Sequence, residues 1–112
     1  MLRRSFTAVL EKNSTFTADF ATEPYETGWA LEARWFIRIL EISDKNVELT
    51  LTPQISADGL FWCDEGSDPL KMSAADLASI PLVNFGHWLR LKGSFTGEKK
   101  RAKVLIYLAL KG

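Results

Sequence analysis

Cysteine and histidine are nearly missing from this chain, which has one of each, Cys63 and His87, in 112 residues. A lone cysteine excludes an internal disulfide, and with it the disulfide-stapled secreted scaffolds. One cysteine and one histidine also fall short of the three or four nitrogen and sulfur ligands of a usual zinc site, so no metal and no other cofactor is expected. Net charge is lacking too, with 14 basic residues against 14 acidic ones. No nucleic-acid partner is expected, because such binding draws its affinity largely from neutralising phosphates. Long apolar runs are absent, so no helical membrane span and no membrane partner is expected. The basic opening at Arg3 and Arg4 leads into an apolar stretch broken by Thr7 and ended by Glu11, too short for a signal-peptide core. The chain is therefore expected in the cytoplasm, or in a particle assembled there. Neither a Gly-x-Ser-x-Gly elbow nor a glycine-rich phosphate loop occurs.

What is present suits a packed domain. Hydrophobic residues make up 46% and charged residues 25%, with four tryptophans and seven phenylalanines. A chain of this length buries roughly 65% of its unfolded surface. Residues 1–112 are expected to form one domain, with no linker and no repeat.

The organisation reads as strands separated by turn residues. Residues 5–10 and 15–20 look like two strands joined by a turn at Glu11, Lys12, Asn13 and Ser14. Residues 28–42 admit a helix on propensity. Their period-two pattern favours a strand with Trp29, Leu31, Ala33, Trp35, Ile37 and Ile39 on one face. Phe36 and Leu40 then fall on the other face, among charged residues. Val47, Leu49 and Leu51 alternate with Glu48, Thr50 and Thr52, the pattern of a half-buried strand. Pro53 cannot donate to a ladder, which predicts an edge or a bulge there. Residues 60–63 suit a short strand. Ser73 followed by Asp76 has the spacing of a capping box and predicts a short helix over 73–79. Residues 86–93 and 102–110 complete the set. The fold class is therefore all-β: a single antiparallel β-sandwich, jelly-roll-like, with one short helix.

The last strand is apolar on both faces. Ala102, Val104, Ile106, Leu108 and Leu110 alternate with Lys103, Leu105, Tyr107 and Ala109. Such a strand is either covered twice or meets a partner. Phe36, Leu40, Leu105 and Tyr107 are the candidate interface, and a homo-oligomer or larger protein assembly is the expected partner.

Residues 49–62 hold a strand followed by Ser56-x-Asp58-Gly59-x-x-Trp62. This stretch resembles an element of discoidin-like and related galactose-binding-like β-sandwich modules. Accessory domains of phage and bacterial surface proteins carry it as well. The segment from Phe85 through Trp88 to Leu91 resembles the next strand of those modules, and Ile106 to Leu110 their closing strand. The resemblance covers the second half of the chain and implies a sandwich. The residues themselves fit: Asp58 and Gly59 suit a tight turn, Gly59 taking positive φ.

Two further constellations carry chemistry in principle. Trp62 and Trp88, with Trp29, Asp58 and Asp64, offer rings and polar groups for a glycan, since sugars stack on flat aromatics flanked by orienting groups. The plainer reading is that these rings close the core. Asp58, Asp64, Glu65 and Asp68 cluster in sequence, but without the spacing of a calcium loop, and read as a solvated acidic loop. His87 lacks an evident nucleophile and reads as structural. The sequence thus predicts a non-enzymatic structural or interaction module that self-associates or decorates a particle, filament or phage-like structure. A small carbohydrate-binding module is the alternative.

Overall fold

A computed structural model describes residues 4–112. These residues form ten strands in two antiparallel sheets, with no helix among them. The first sheet has the order β1-β10-β4-β8, made of β1 (Ser5–Phe16), β10 (Ala102–Lys111), β4 (Glu32–Ile42) and β8 (Leu77–Val83). The second sheet is built on β9 (Trp88–Thr96) and β5 (Glu48–Ser56). Short strands extend it: β2 (Phe20–Ala21) and β3 (Tyr25–Glu26) pair with β9, while β6 (Cys63–Asp64) and β7 (Leu70–Met72) pair with β5.

Period-two alternation builds the core between the sheets. Ala33, Trp35, Ile37 and Ile39 of β4 and Val104, Ile106 and Leu108 of β10 face Leu49 and Leu51 of β5 and Leu89 and Leu91 of β9. Burial of each such aliphatic side chain is worth about 1.5–3 kcal/mol. Apart from the indole Nε1 of Trp35, which has no partner among the described residues, buried polar groups drawn in with them find partners. Thr22 exchanges two bonds with Leu91, through its own N–H and its Oγ1, each of 2.9 Å. Thr27 Oγ1 donates to the His87 carbonyl at 3.2 Å.

Three expectations need correction. The short helix over 73–79 does not form. Asp76 Oδ1 instead accepts the N–H of Leu77 at 2.8 Å, and a strand begins there, with Ile80 and Leu82 turned into the core. The predicted turn at 11–14 is part of a single strand, β1. It absorbs its irregularity as two register shifts against β10 and a positive φ of 53° at Asn13. The long strand begins at Glu32 rather than Gly28, so Trp29 and Leu31 lie outside it. Pro53, by contrast, fits its surroundings. It pairs with Leu91 where one short neighbour, β7, has ended and the other, β6, has not begun. Its carbonyl accepts the N–H of Glu65 at 2.9 Å, and the return bond that proline cannot donate falls just beyond the end of β6.

The outer edges of the first sheet are blunted. Ile39 N–H donates to the Asp76 carbonyl at 2.9 Å. Alternation along an antiparallel ladder then turns the peptide groups of Leu77, Ser79 and Pro81 toward the free edge. Leu77 N–H is already taken by Asp76 and Pro81 has none, so a docking strand meets few donors. The opposite edge, β1, carries the two register shifts.

Gly93 lies beneath the ring of Phe20, which is stacked on Phe16 at 3.9 Å between centroids and tilted against Phe95. A Cβ at this position runs into that ring. Gly93→Ala is expected to cost about 1–3 kcal/mol in denaturant unfolding, because the ring cannot shift without breaking its stack. A loss below 0.5 kcal/mol, roughly the size of an ordinary surface substitution, contradicts this packing.

Candidate functional site

The two sandwich faces turned to solvent differ in chemistry. On the second sheet, Thr50, Thr52, Lys92, Ser94 and Thr96 lie on the outward side of β5 and β9. That surface needs no cover. The outward side of the first sheet is apolar along its middle. Tyr107 lies opposite Phe36 across β10 and β4, and opposite Val9 across β10 and β1. The three side chains form a row across the sheet at a single level. Val9 is 52% exposed, and Phe36 and Tyr107 are half-buried only by their neighbours.

The four residues expected at the interface all lie on this face. Leu105 stands opposite Arg38, which in turn faces Leu77 on β8. Leu40 sits in the register shift between β4 and β10 and lines a small groove with Arg38, Asp76 and Leu77. Phe36 and Tyr107 touch the same row, whereas Leu40 lies nearer the β8 side. Sequence reasoning missed Val9, Leu77 and Val83, the last two 60% and 59% exposed on β8. The Leu77–Pro81–Val83 alternation was a usable signal, hidden by the capping-box pattern just before it.

A concavity of about 320 Å³ opens on the same face, lined among others by Glu32, Arg34, Phe36, Pro81, Val83, Ala109 and Lys111. Proline and alanine leave room that larger side chains fill elsewhere. Arg34 Nη1 donates to Ser79 Oγ at 2.9 Å, which steadies the guanidinium at its rim. The outward charges of β4 and β10 are mixed and cationic on balance: Arg34, Arg38, Lys103 and Lys111 stand against Glu32 and Glu41, and Glu41 also lies 3.5 Å from Arg101.

The aromatic set near Asp58 is arranged differently. Ser56 Oγ accepts the N–H of Gly59 at 2.8 Å, and Asp58 Oδ1 accepts those of Leu60 and Phe61 at 2.9 and 3.0 Å. Gly59 has φ +79° and packs against the Trp88 ring, so one face of that ring is engaged. Trp88 and Arg90 both point outward from β9, so Trp88 does not join Leu89 and Leu91 in the core. Arg90 stacks on Trp62 at 4.5 Å and donates through Nε to Gln54 Oε1 at 2.7 Å. Gln54 Nε2 donates to Asp64 Oδ1 at 3.0 Å. The structure thus brings Trp62, Trp88, Asp58 and Asp64 to one end of the second sheet, with Trp62 engaged by Arg90, Trp88 by Gly59, Asp58 by the turn amides and Asp64 by Gln54. Trp29 belongs to a separate group, with Arg4 stacked on it at 4.2 Å beside Phe6 and Tyr25. His87 Nε2 meets Glu26 Oε1 at 2.8 Å, and the same oxygen accepts the Gly28 N–H. Among the described residues no group of three His, Cys, Asp or Glu side chains is placed to hold a metal ion. What the acidic turn does project is Leu60 and Phe61, 76% and 81% exposed at its tip and missed as a feature by sequence reasoning.

The amides of Leu60 and Phe61, then the Ser56 hydroxyl, hold the Asp58 carboxyl below its ordinary pKa of 3.8. A depressed carboxylate pKa means that the folded state favours the ionised form. Its contribution is present above pH 3.8 and is lost as the pH falls through the lower, folded value. Asp58→Asn is expected to lower the melting temperature at pH 7, with the gap to wild type closing below about pH 4. A gap that stays constant from neutral to acid pH contradicts the assignment.

No protein-family model matches the chain, nor does any curated protein. Solved structures do. The chain is similar in fold to the PBSX exported protein XepA, with a TM-score of 0.60 and 11% identity over 97% of this chain. It spans only 36% of that chain's length. It is also similar to PirA, with a TM-score of 0.57 and 15% identity over 93% of this chain and 92% of that one. At such identities the likeness is one of fold alone: an all-β architecture of two antiparallel sheets shared with these proteins.

Proposed function

We propose that this protein is a non-enzymatic interaction module, a jelly-roll-like sandwich that self-associates through the outward face of its first sheet and so builds or decorates a larger assembly. The row Val9–Tyr107–Phe36 carries the reading. An aromatic pair at the centre of an uncovered sheet is the kind of anchor around which protein interfaces form. Blunted edges on the same sheet disfavour association by strand addition and leave the face as the route. The polar, threonine-bearing face of the second sheet supplies the contrast expected of a surface that stays in water.

Sugar binding by Trp62 and Trp88 is the weaker reading, because Arg90 and Gly59 already occupy one face of each ring. Sedimentation equilibrium over a rising concentration series tests the main proposal. The wild type is expected to associate, and Phe36→Glu with Tyr107→Glu to stay monomeric with an unchanged circular dichroism spectrum. A wild type that is monomeric at every concentration overturns it.

A further inference from the structure

The proposed docking face does not complement itself well. Its outward charges, Arg34, Arg38, Lys103 and Lys111 against Glu32 and Glu41, sum to a positive face, so two copies stacked face to face meet net like charge, which costs free energy. Of the chain's 14 acidic residues, four fall in one loop-rich stretch. Asp58, Asp64, Glu65 and Asp68 fall in a stretch, residues 51–70, that holds no lysine or arginine. At the tip of this same loop stand Leu60 and Phe61, the two most exposed large hydrophobic side chains of the described residues. The two surfaces differ in kind: a protruding apolar tip with an acidic flank, and an apolar concavity whose rim carries two cations, Arg34 and Lys111, and one carboxylate, Glu32.

We infer that the protein assembles head to tail, the Leu60–Phe61 tip of one copy seating in the concavity between β4, β8 and β10 of the next. The inference rests on the self-association reading above and names the occupant of that face. The concavity of about 320 Å³ holds roughly ten water volumes at about 30 Å³ each, enough for a phenyl ring and part of its leucine neighbour. Phe36, Pro81, Val83 and Ala109 give it apolar walls, while Arg34, Lys111 and Glu32 stand at its rim and leave it with a net positive charge. The tip is presented in a fixed form, because Asp58 Oδ1 holds the amides of both tip residues and Ser56 Oγ holds that of Gly59. A preformed tip loses little conformational entropy on docking. Tip and concavity belong to different sheets, so one chain does not satisfy both within itself. Each copy keeps a free tip and a free face after pairing. Such a heterologous contact closes into a ring or continues as a filament, according to the rotation between copies.

Mixing two variants tests this. One carries Leu60→Ser and Phe61→Ser and keeps its face; the other carries Phe36→Glu and Tyr107→Glu and keeps its tip. Each alone is expected to be monomeric, with association weakened at least about a hundredfold. Their mixture is expected to form a one-to-one pair and no larger species, since only one productive contact remains. Added salt is expected to weaken that pair, as it does charge-complementary contacts. The tip residues are solvent-exposed, so their replacement leaves the core intact, and circular dichroism of each variant confirms the fold. If the tip variant assembles as the wild type does, head-to-tail contact is overturned while self-association through the face stands. A mixture that stays monomeric overturns it likewise. Assembly of the face variant alone overturns the docking face itself.

Discussion

Trp35→Ala is expected to lower the unfolding free energy by about 3–5 kcal/mol. Trp35 is fully buried at the middle of β4, opposite Leu108 on one side and Ile80 on the other. Its Nε1 has no hydrogen-bond partner among the described residues, a cost of about 1–3 kcal/mol for a buried donor. Burying an aromatic area of about 150–250 Å² returns about 4–6 kcal/mol at 25 cal/mol per Å². The apolar term wins, so the indole is there for its volume rather than its polar handle. Trp35→Phe is therefore expected to cost clearly less than Trp35→Ala, since it keeps most of the ring area and removes the unpaired donor. Denaturant unfolding of both variants checks the order. Domains of this kind have total stabilities of about 5–15 kcal/mol, so the alanine variant approaches global unfolding. Equal losses in the two variants contradict the volume argument.

The second large effect concerns association. Phe36→Glu with Tyr107→Glu puts two carboxylates side by side at the centre of the docking face, because the two positions are cross-strand neighbours. Truncating one central aromatic anchor typically costs about 2 kcal/mol or more of binding. Desolvating a charge at the same place adds to that. The pair is expected to weaken self-association at least a hundredfold, which corresponds to about 2.8 kcal/mol. Both side chains point away from the core, so the folded monomer survives and the loss is one of binding. Lys103→Glu, near the margin of the face, is expected to do much less, as rim charges affect encounter rates more than the bound state. A double variant that associates as the wild type does contradicts the docking face.

The core was legible wherever one side of a strand is buried and the other is wet. Trp35, Ile37 and Ile39 on β4, Leu49 and Leu51 on β5, and Ile106 and Leu108 on β10 are all readable from period-two alternation alone. The alternation of Phe36 and Leu105 onto outward positions came from the same signal. That Tyr107 faces Phe36 and Val9 did not, because register between distant strands is set by the whole sheet and not by local pattern. The segment around Ser73 misled for a physical reason. An aspartate three residues after a serine serves a helix start, but Asp76 here caps the first amide of an edge strand, and Pro81 then disguises that strand. β1 misled in a related way: Asn13 tolerates a left-handed backbone that a turn also uses, and the strand passes through it as a bulge. The Leu60–Phe61 tip was invisible because two apolar residues before a tryptophan read as a short core strand. Only the amide bonds to Asp58 reveal that the chain turns there and leaves them outside.

The most direct measurement is a dilution series of the wild-type protein followed by side-chain NMR shifts. Concentration-dependent shifts are expected to gather on Val9, Phe36, Leu105 and Tyr107, with Thr50, Thr52 and Ser94 on the opposite face unmoved. Shifts that stay flat across the series, or that gather on the threonine-bearing face, contradict the docking role of the first sheet.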